Sequence, residues 1–145
     1  MRIAIGCDHA AVELKNKVIK HLEEKGYEVT DKGTYTNESC DYPVYAKAVC
    51  DSVNDKSADL GILVCGTGIG MSIAANKIRG IRAACCNEIF TAEITRRHNN
   101  TNVLCMGARV IGEEVAYKVV DAFLEAEFEG GKHQRRVDMF MEFEK

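Results

Sequence analysis

Short apolar runs alternate along this chain with longer segments in which apolar residues return every three or four positions. Ile3–Cys7 predicts a first strand. Ala10–Lys25 follows as a helix with Val12, Leu14, Val18, Ile19 and Leu22 on its inner face. Gly26 stands where a helix ends, and Tyr27–Thr30 begins a second strand. A polar loop from Asp31 to Asp41 leads to a helix starting near Pro43, a residue suited to a first turn. Leu60–Cys65 predicts a third strand, with a helix over Gly70–Lys77. Ile81–Cys86 predicts a fourth strand, after which Asn87 can cap a helix from Glu88 to about Arg97. Val103–Met106 predicts the fifth strand and Glu113–Ala126 the helix behind it. Five strands separated by helices imply an α/β fold, a three-layer α/β/α sandwich around a parallel, Rossmann-like sheet.

Length adds a single domain over residues 1–145, and the lone proline and the lack of a Ser/Pro-rich tract argue against a linker. After Gly130-Gly131 a tail, residues 130–145, carries Val137, Phe140 and Met141 at helical spacing. That stripe needs cover, and a partner subunit would supply it. A net charge of −3 gives no support to nucleic-acid or membrane-surface binding, and no apolar run nears the length of a membrane span. The opening MRIAIGCDHA enters a strand pattern directly, without a signal-peptide core. Seven cysteines, an odd number with no C-x-x-C pair, fit a reduced cytoplasmic protein better than a disulfide scaffold or a zinc site. No metal and no cofactor is expected.

The chemistry concentrates in Leu60–Lys77, LGILVCGTGIGMSIAANK. A buried strand stops at Cys65, and Gly66, Gly68 and Gly70 alternate with Thr67 and Ile69 before a helix begins. Glycines let backbone N–H groups face a ligand, and a helix N-terminus favours negative charge, so a thiolate is favoured there. The first strand ends in Gly6-Cys7-Asp8-His9, the fifth leads to Gly107-Ala108-Arg109, and His98-Asn99 closes the fourth helix. Each has an ordinary explanation: Asp8 as a helix cap, His98 as a helix-terminal charge, Cys65 as packing, Arg109 as a solvated cation. Ligands of such sheets bind at the carboxyl ends of the strands, and the convergence of these residues on one edge argues for a site. Lys132 and Arg136, one helical turn apart, can clamp a phosphate, although a short basic run is most often a solvated face. A dinucleotide fingerprint fails because Met71 follows G-x-G-x-G, and a phosphate-binding P-loop fails because Thr67 stands where lysine is needed. A G-x-S-x-G hydrolase elbow is absent.

GCDHA, CGTGIGMSIAANK, RRHNNTNVLCMGAR and EGGKHQRRV, in this order from Arg2 to about Val137, together resemble ribose-5-phosphate isomerase type B. The resemblance implies aldose–ketose isomerisation of D-ribose 5-phosphate and D-ribulose 5-phosphate through an enediolate, in the pentose phosphate pathway. Cys65 would be the base, Thr67 would lie on the proton path, and the backbone of Gly66, Thr67, Gly68, Ile69 and Gly70 would hold the enediolate oxygen. His98 would open the sugar ring. Asp8 and His9 would bind sugar hydroxyls or phosphate, Asn99 the sugar, and Arg109, Lys132 and Arg136 the phosphate. The family splits between a cysteine before the first glycine and a glutamate after the third; Cys65 and Met71 place this chain in the cysteine branch. Lys132 departs from the arginine common there and loses bidentate phosphate geometry. Family membership further implies a homodimer or dimer of dimers with sites shared between subunits. Allose-6-phosphate or galactose-6-phosphate isomerisation is the alternative within the class, and a non-catalytic phosphosugar-binding module the alternative outside it.

Overall fold

The computed structural model describes residues 1–145. Five strands, β1 (Arg2–Cys7), β2 (Glu28–Asp31), β3 (Leu60–Cys65), β4 (Ala83–Cys85) and β5 (Val103–Gly107), form one parallel sheet in the order β2-β1-β3-β5-β4. The helices are α1 (Val12–Glu24), α2 (Tyr42–Asn54), α3 (Ile69–Asn76), α4 (Ile89–Asn99), α5 (Glu113–Glu125) and α6 (Lys132–Met141). No helix is long and apolar enough to cross a membrane.

Burial on both faces explains why β3 reads as a continuous apolar run. Its alternate side chains still separate: Leu60, Ile62 and Val64 join one core cluster, Leu63 and Cys65 the other. The first cluster packs the sheet against α1, α4 and α5, and the second packs it against α2 and α3, giving three layers. The order reverses between β1 and β3, so the crevice past their carboxyl ends lies between Asp8 and Cys65.

Two local expectations are corrected. Glu88, not Asn87, caps α4, its carboxylate accepting from the N–H groups of Phe90 and Thr91 at 2.7 Å each. β4 is shorter than Ile81–Cys86, because Arg82 turns its N–H to the Asn102 side chain instead of to a strand. The tail also finds cover within its own chain. Val137 is buried, Gly80 donates its N–H to Glu144 at 3.0 Å, and the Arg79 guanidinium reaches the Glu144 carbonyl at 2.6 Å. Phe140 and Met141 are half-buried, while Met139 and Phe143 remain exposed.

Candidate active site

Two features of β5 and the turn after β3 build the cradle. Gly68 takes a left-handed φ of +81°, which brings the turn back over the end of β5, and a side chain on Gly107 would meet the Thr67 backbone at 2.7 Å. Cys65, buried at the end of β3, accepts the N–H of Gly68 at 3.1 Å through its sulfur. Ile69 donates its N–H to Thr67 Oγ1 at 3.2 Å, and Ser72 donates to the Gly68 carbonyl at 3.1 Å, the first bond inside α3. The N–H groups of Gly70 and Met71, in the first turn, therefore have no acceptor within the helix. The cradle thus combines a sulfur, a hydroxyl, and N–H groups at a helix N-terminus, an arrangement suited to a transient oxyanion.

The neighbouring strand ends surround this cradle. Arg109 donates its N–H to the Gly66 carbonyl at 2.9 Å, and its guanidinium lies against Gly66. Asp8 is buried; its N–H bonds the Val64 carbonyl at 3.1 Å and its carboxylate accepts from Ala10 N–H at 3.0 Å. It closes the turn into α1, yet α1 itself has no side-chain cap. His9 Nδ1 accepts the N–H of Cys40 at 3.3 Å, which puts the proton of the neutral ring on Nε2. Tyr42, which sequence reasoning did not single out, packs its ring where a Gly70 side chain would sit. Asn87 and Cys85 also meet the cradle from outside, at the Thr67 carbonyl. In the sequence these three carry no signal beyond a helix start, a cap and one cysteine among seven.

The remaining candidates stand elsewhere, and the expected convergence on one edge is corrected here. β3 and β5 pair from Gly61↔Val103 to Cys65↔Gly107, so residues just before Val103 lie at the amino ends of the strands. His98 and Asn99, at the end of α4, belong to that opposite edge. The strand length alone separates the edges by roughly 13 Å. α6 joins the same side: the rings of His98 and His133 stack at 4.1 Å, 9° from parallel, and Lys132 and Arg136 flank them. Glu129 faces both imidazoles, at 3.6 Å from His98 Nε2 and 3.7 Å from His133 Nε2, and is held by Arg97 at 2.7 Å. Burial, then the adjacent His98, lowers the pKa of His133 from its ordinary value. The ligand atoms of His98, Glu129 and His133 lie within 4.8 Å of one another. Arg97 is ion-paired to Glu93 and Glu129, and Lys132 and Arg136 add positive charge beside the rings, which suits an anion better than a metal ion.

Five of the other six thiols are chemically quiet. Burial pushes Cys7 and Cys50 up to about 12 and raises Cys85, Cys86 and Cys105, so none of these five is readily a thiolate at neutral pH.

This arrangement has close counterparts. Residues 3–140 match the family described as Ribose/Galactose Isomerase. The chain is 53% identical to the ribose-5-phosphate isomerase B of Escherichia coli, over 94% of this chain and 92% of that one. It superposes on a ribose 5-phosphate isomerase of Thermotoga maritima with a TM-score of 0.95 and 55% identity, covering 97% of each chain. The ribose-5-phosphate isomerase B of Mycoplasma genitalium, solved with bound ribulose-5-phosphate, superposes with a TM-score of 0.95 and 44% identity over 99% of this chain and 95% of that one. A glycine turn behind a buried thiol, a parallel sheet with its crevice beside that thiol, and likeness over nearly the full length agree: the chain belongs to the ribose/galactose isomerase family.

Proposed function

We propose that this chain is an aldose–ketose isomerase that interconverts D-ribose 5-phosphate and D-ribulose 5-phosphate, in a site assembled from two copies of the chain. The observation that carries the reading is the division of its chemistry between two edges of one sheet. Cys65, the glycine turn and Arg109 lie at one edge, and His98, Asn99, Lys132 and Arg136 at the other. A pentose phosphate is too short to span both edges of one subunit, so the second half comes from a second copy. The relatives named above act as ribose-5-phosphate isomerases, and the Mycoplasma genitalium structure holds the ketose.

His98 protonates the ring oxygen while the anomeric hydroxyl gives its proton to solvent water, which opens the furanose to the aldehyde. Cys65, as thiolate, takes the proton from C2. The electron pair moves to the C1 oxygen, forming an enediolate held by the N–H groups of Gly70 and Met71. Thr67 carries the proton between the two oxygens, and Cys65 returns its proton to C1, leaving the ketone at C2. Asp8, His9 and Asn99 bind sugar hydroxyls. Lys132 and Arg136 of the second copy hold the phosphate, with Arg109 adding positive charge beside the turn. No step calls on a metal or cofactor.

Cys65→Ala is expected to lower kcat for ribose 5-phosphate by about a hundredfold or more while fold and sugar-phosphate binding persist. The check is ketopentose formation together with exchange of the C2 proton into solvent. Wild-type exchange by the variant would remove Cys65 as the base. Allose 6-phosphate turned over with a higher kcat/KM than ribose 5-phosphate would replace the proposed substrate, and binding of both without turnover would favour a binding module.

A further inference from the structure

The peptide joining Thr67 to Gly68 is committed at both ends. Its N–H, on Gly68, donates to Cys65 Sγ at 3.1 Å. Its carbonyl, on Thr67, accepts from Asn87 Nδ2 at 3.3 Å and from the Cys85 thiol at 3.6 Å. A trans peptide is a rigid plane whose C=O and N–H point in opposite directions, so whatever holds the carbonyl also aims the N–H. That hold is needed here, because the peptide precedes a glycine. Gly68 has no Cβ to resist a flip of the plane, and a flipped plane would turn the N–H away from the sulfur and the carbonyl oxygen toward it.

Asn87 can provide the hold because its own position is fixed. Its Oδ1 accepts the N–H of Gly107 at 2.7 Å, tying the side chain to the end of β5, the backbone on which the Thr67 peptide rests. The helix-capping role that its place in the chain suggests is filled by Glu88, so the amide is free for this bridge. Cys85 is the lesser partner, since a thiol is a weak donor.

We propose that Asn87 is a positioning residue for Cys65, acting through the Thr67–Gly68 peptide plane to keep a hydrogen-bond donor on the sulfur. Its part in turnover rests on the reading of Cys65 as the proton-transferring group; its effect on the thiol does not. A donor on the sulfur favours its anionic form over the neutral thiol, so Asn87 supports the reactivity of Cys65 by holding that donor in place. Removing the amide frees the plane and leaves Asp8, His9, Asn99, Arg109, Lys132 and Arg136 without a lost contact.

The test follows alkylation of Cys65 by iodoacetamide across pH, with the Cys65 peptide quantified by mass spectrometry so that the other thiols do not enter. Asn87→Ala is expected to move the midpoint of the alkylation profile upward by about one pH unit. At neutral pH its kcat should fall about tenfold, with KM within about twofold of wild type. Asn87→Asp keeps the acceptor for Gly107, cannot donate to Thr67 and adds a negative charge, so its midpoint should rise further while the fold is retained. Cys85→Ala should shift the midpoint less than Asn87→Ala. A folded Asn87→Asp variant with the wild-type midpoint would overturn the proposal, as would a larger shift in Cys85→Ala than in Asn87→Ala. Alkylation does not depend on turnover, so full activity in Cys65→Ala would dismiss the base assignment and leave this result standing.

Discussion

Three imidazoles stand at the two edges of the sheet, and each is held differently. His9 has its Nδ1 fixed by the Cys40 N–H, so it presents Nε2 as a donor. His98 is partly exposed and stacks on His133, and Glu129 faces both rings. His133 has its pKa lowered from 6.5, by burial and then by His98, with Lys132 and Arg136 acting the same way and Glu129 opposing them. The consequence for stability has a definite sign. Above the ordinary value both folded and unfolded chains are neutral at this ring. As pH falls through 6.5, the unfolded chain takes up the proton first, so the folded state loses stability until its own lowered value is passed. His133→Gln should therefore lose less Tm than wild type between pH 8 and 5. Parallel Tm curves for the two proteins would show that His133 does not contribute to the acid response. His98 and His133 lie far apart in the sequence; their stacking depends on how Gly130-Gly131 turns α6 back onto α4, which no local pattern encodes.

At the scale of elements, short apolar runs and helical periodicity were enough to place all five strands and six helical segments, because burial on both faces makes a strand a continuous apolar run and burial on one face gives a helix its period of three to four. It failed where side chains overrule the backbone pattern. Asn102 takes the N–H of Arg82 and shortens β4, and Glu88 caps α4 with a longer side chain than caps usually have. Lys15 shows the limit most plainly. A lysine in α1 reads as part of a wet face, yet its side chain is fully buried. Its ammonium donates to Asp31 at 2.8 Å and to the Thr34 carbonyl at 2.6 Å, with the Tyr35 ring at 4.8 Å. This one cation ties α1 to the loop after β2, whose backbone in turn bonds Cys7 at the end of β1. Lys15→Met keeps much of the stem's packing but strands a carboxylate and a carbonyl, so the loss should be on the order of 3 kcal/mol. Urea denaturation measures it, and a variant as stable as wild type would contradict the clamp.

For the whole molecule, the decisive fact is that helices in a parallel α/β fold run back along the strands. A residue at the end of a helix therefore sits beside the start of the next strand. The motif that ends α4 with His98-Asn99 was readable, and so was the cradle after β3, but their juxtaposition was not. Sequence order brings His98 within a few residues of β5, whereas the register places it at the far edge from Cys65. The proposed shared site rests on that geometry: in it each subunit contributes one half to each of two sites, and two-fold pairing completes both. The exposed Ile69, Ile73 and Phe90 around the cradle give the apolar surface such pairing requires. The most direct measurement co-produces a Cys65→Ala chain and an Arg136→Ala chain under different tags and isolates the mixed dimer. One of its two sites should receive both intact halves, so activity at low substrate concentration should return to about half that of wild type, well above either parent. A mixed dimer no more active than its parents would contradict the shared site and confine the chemistry to a single chain.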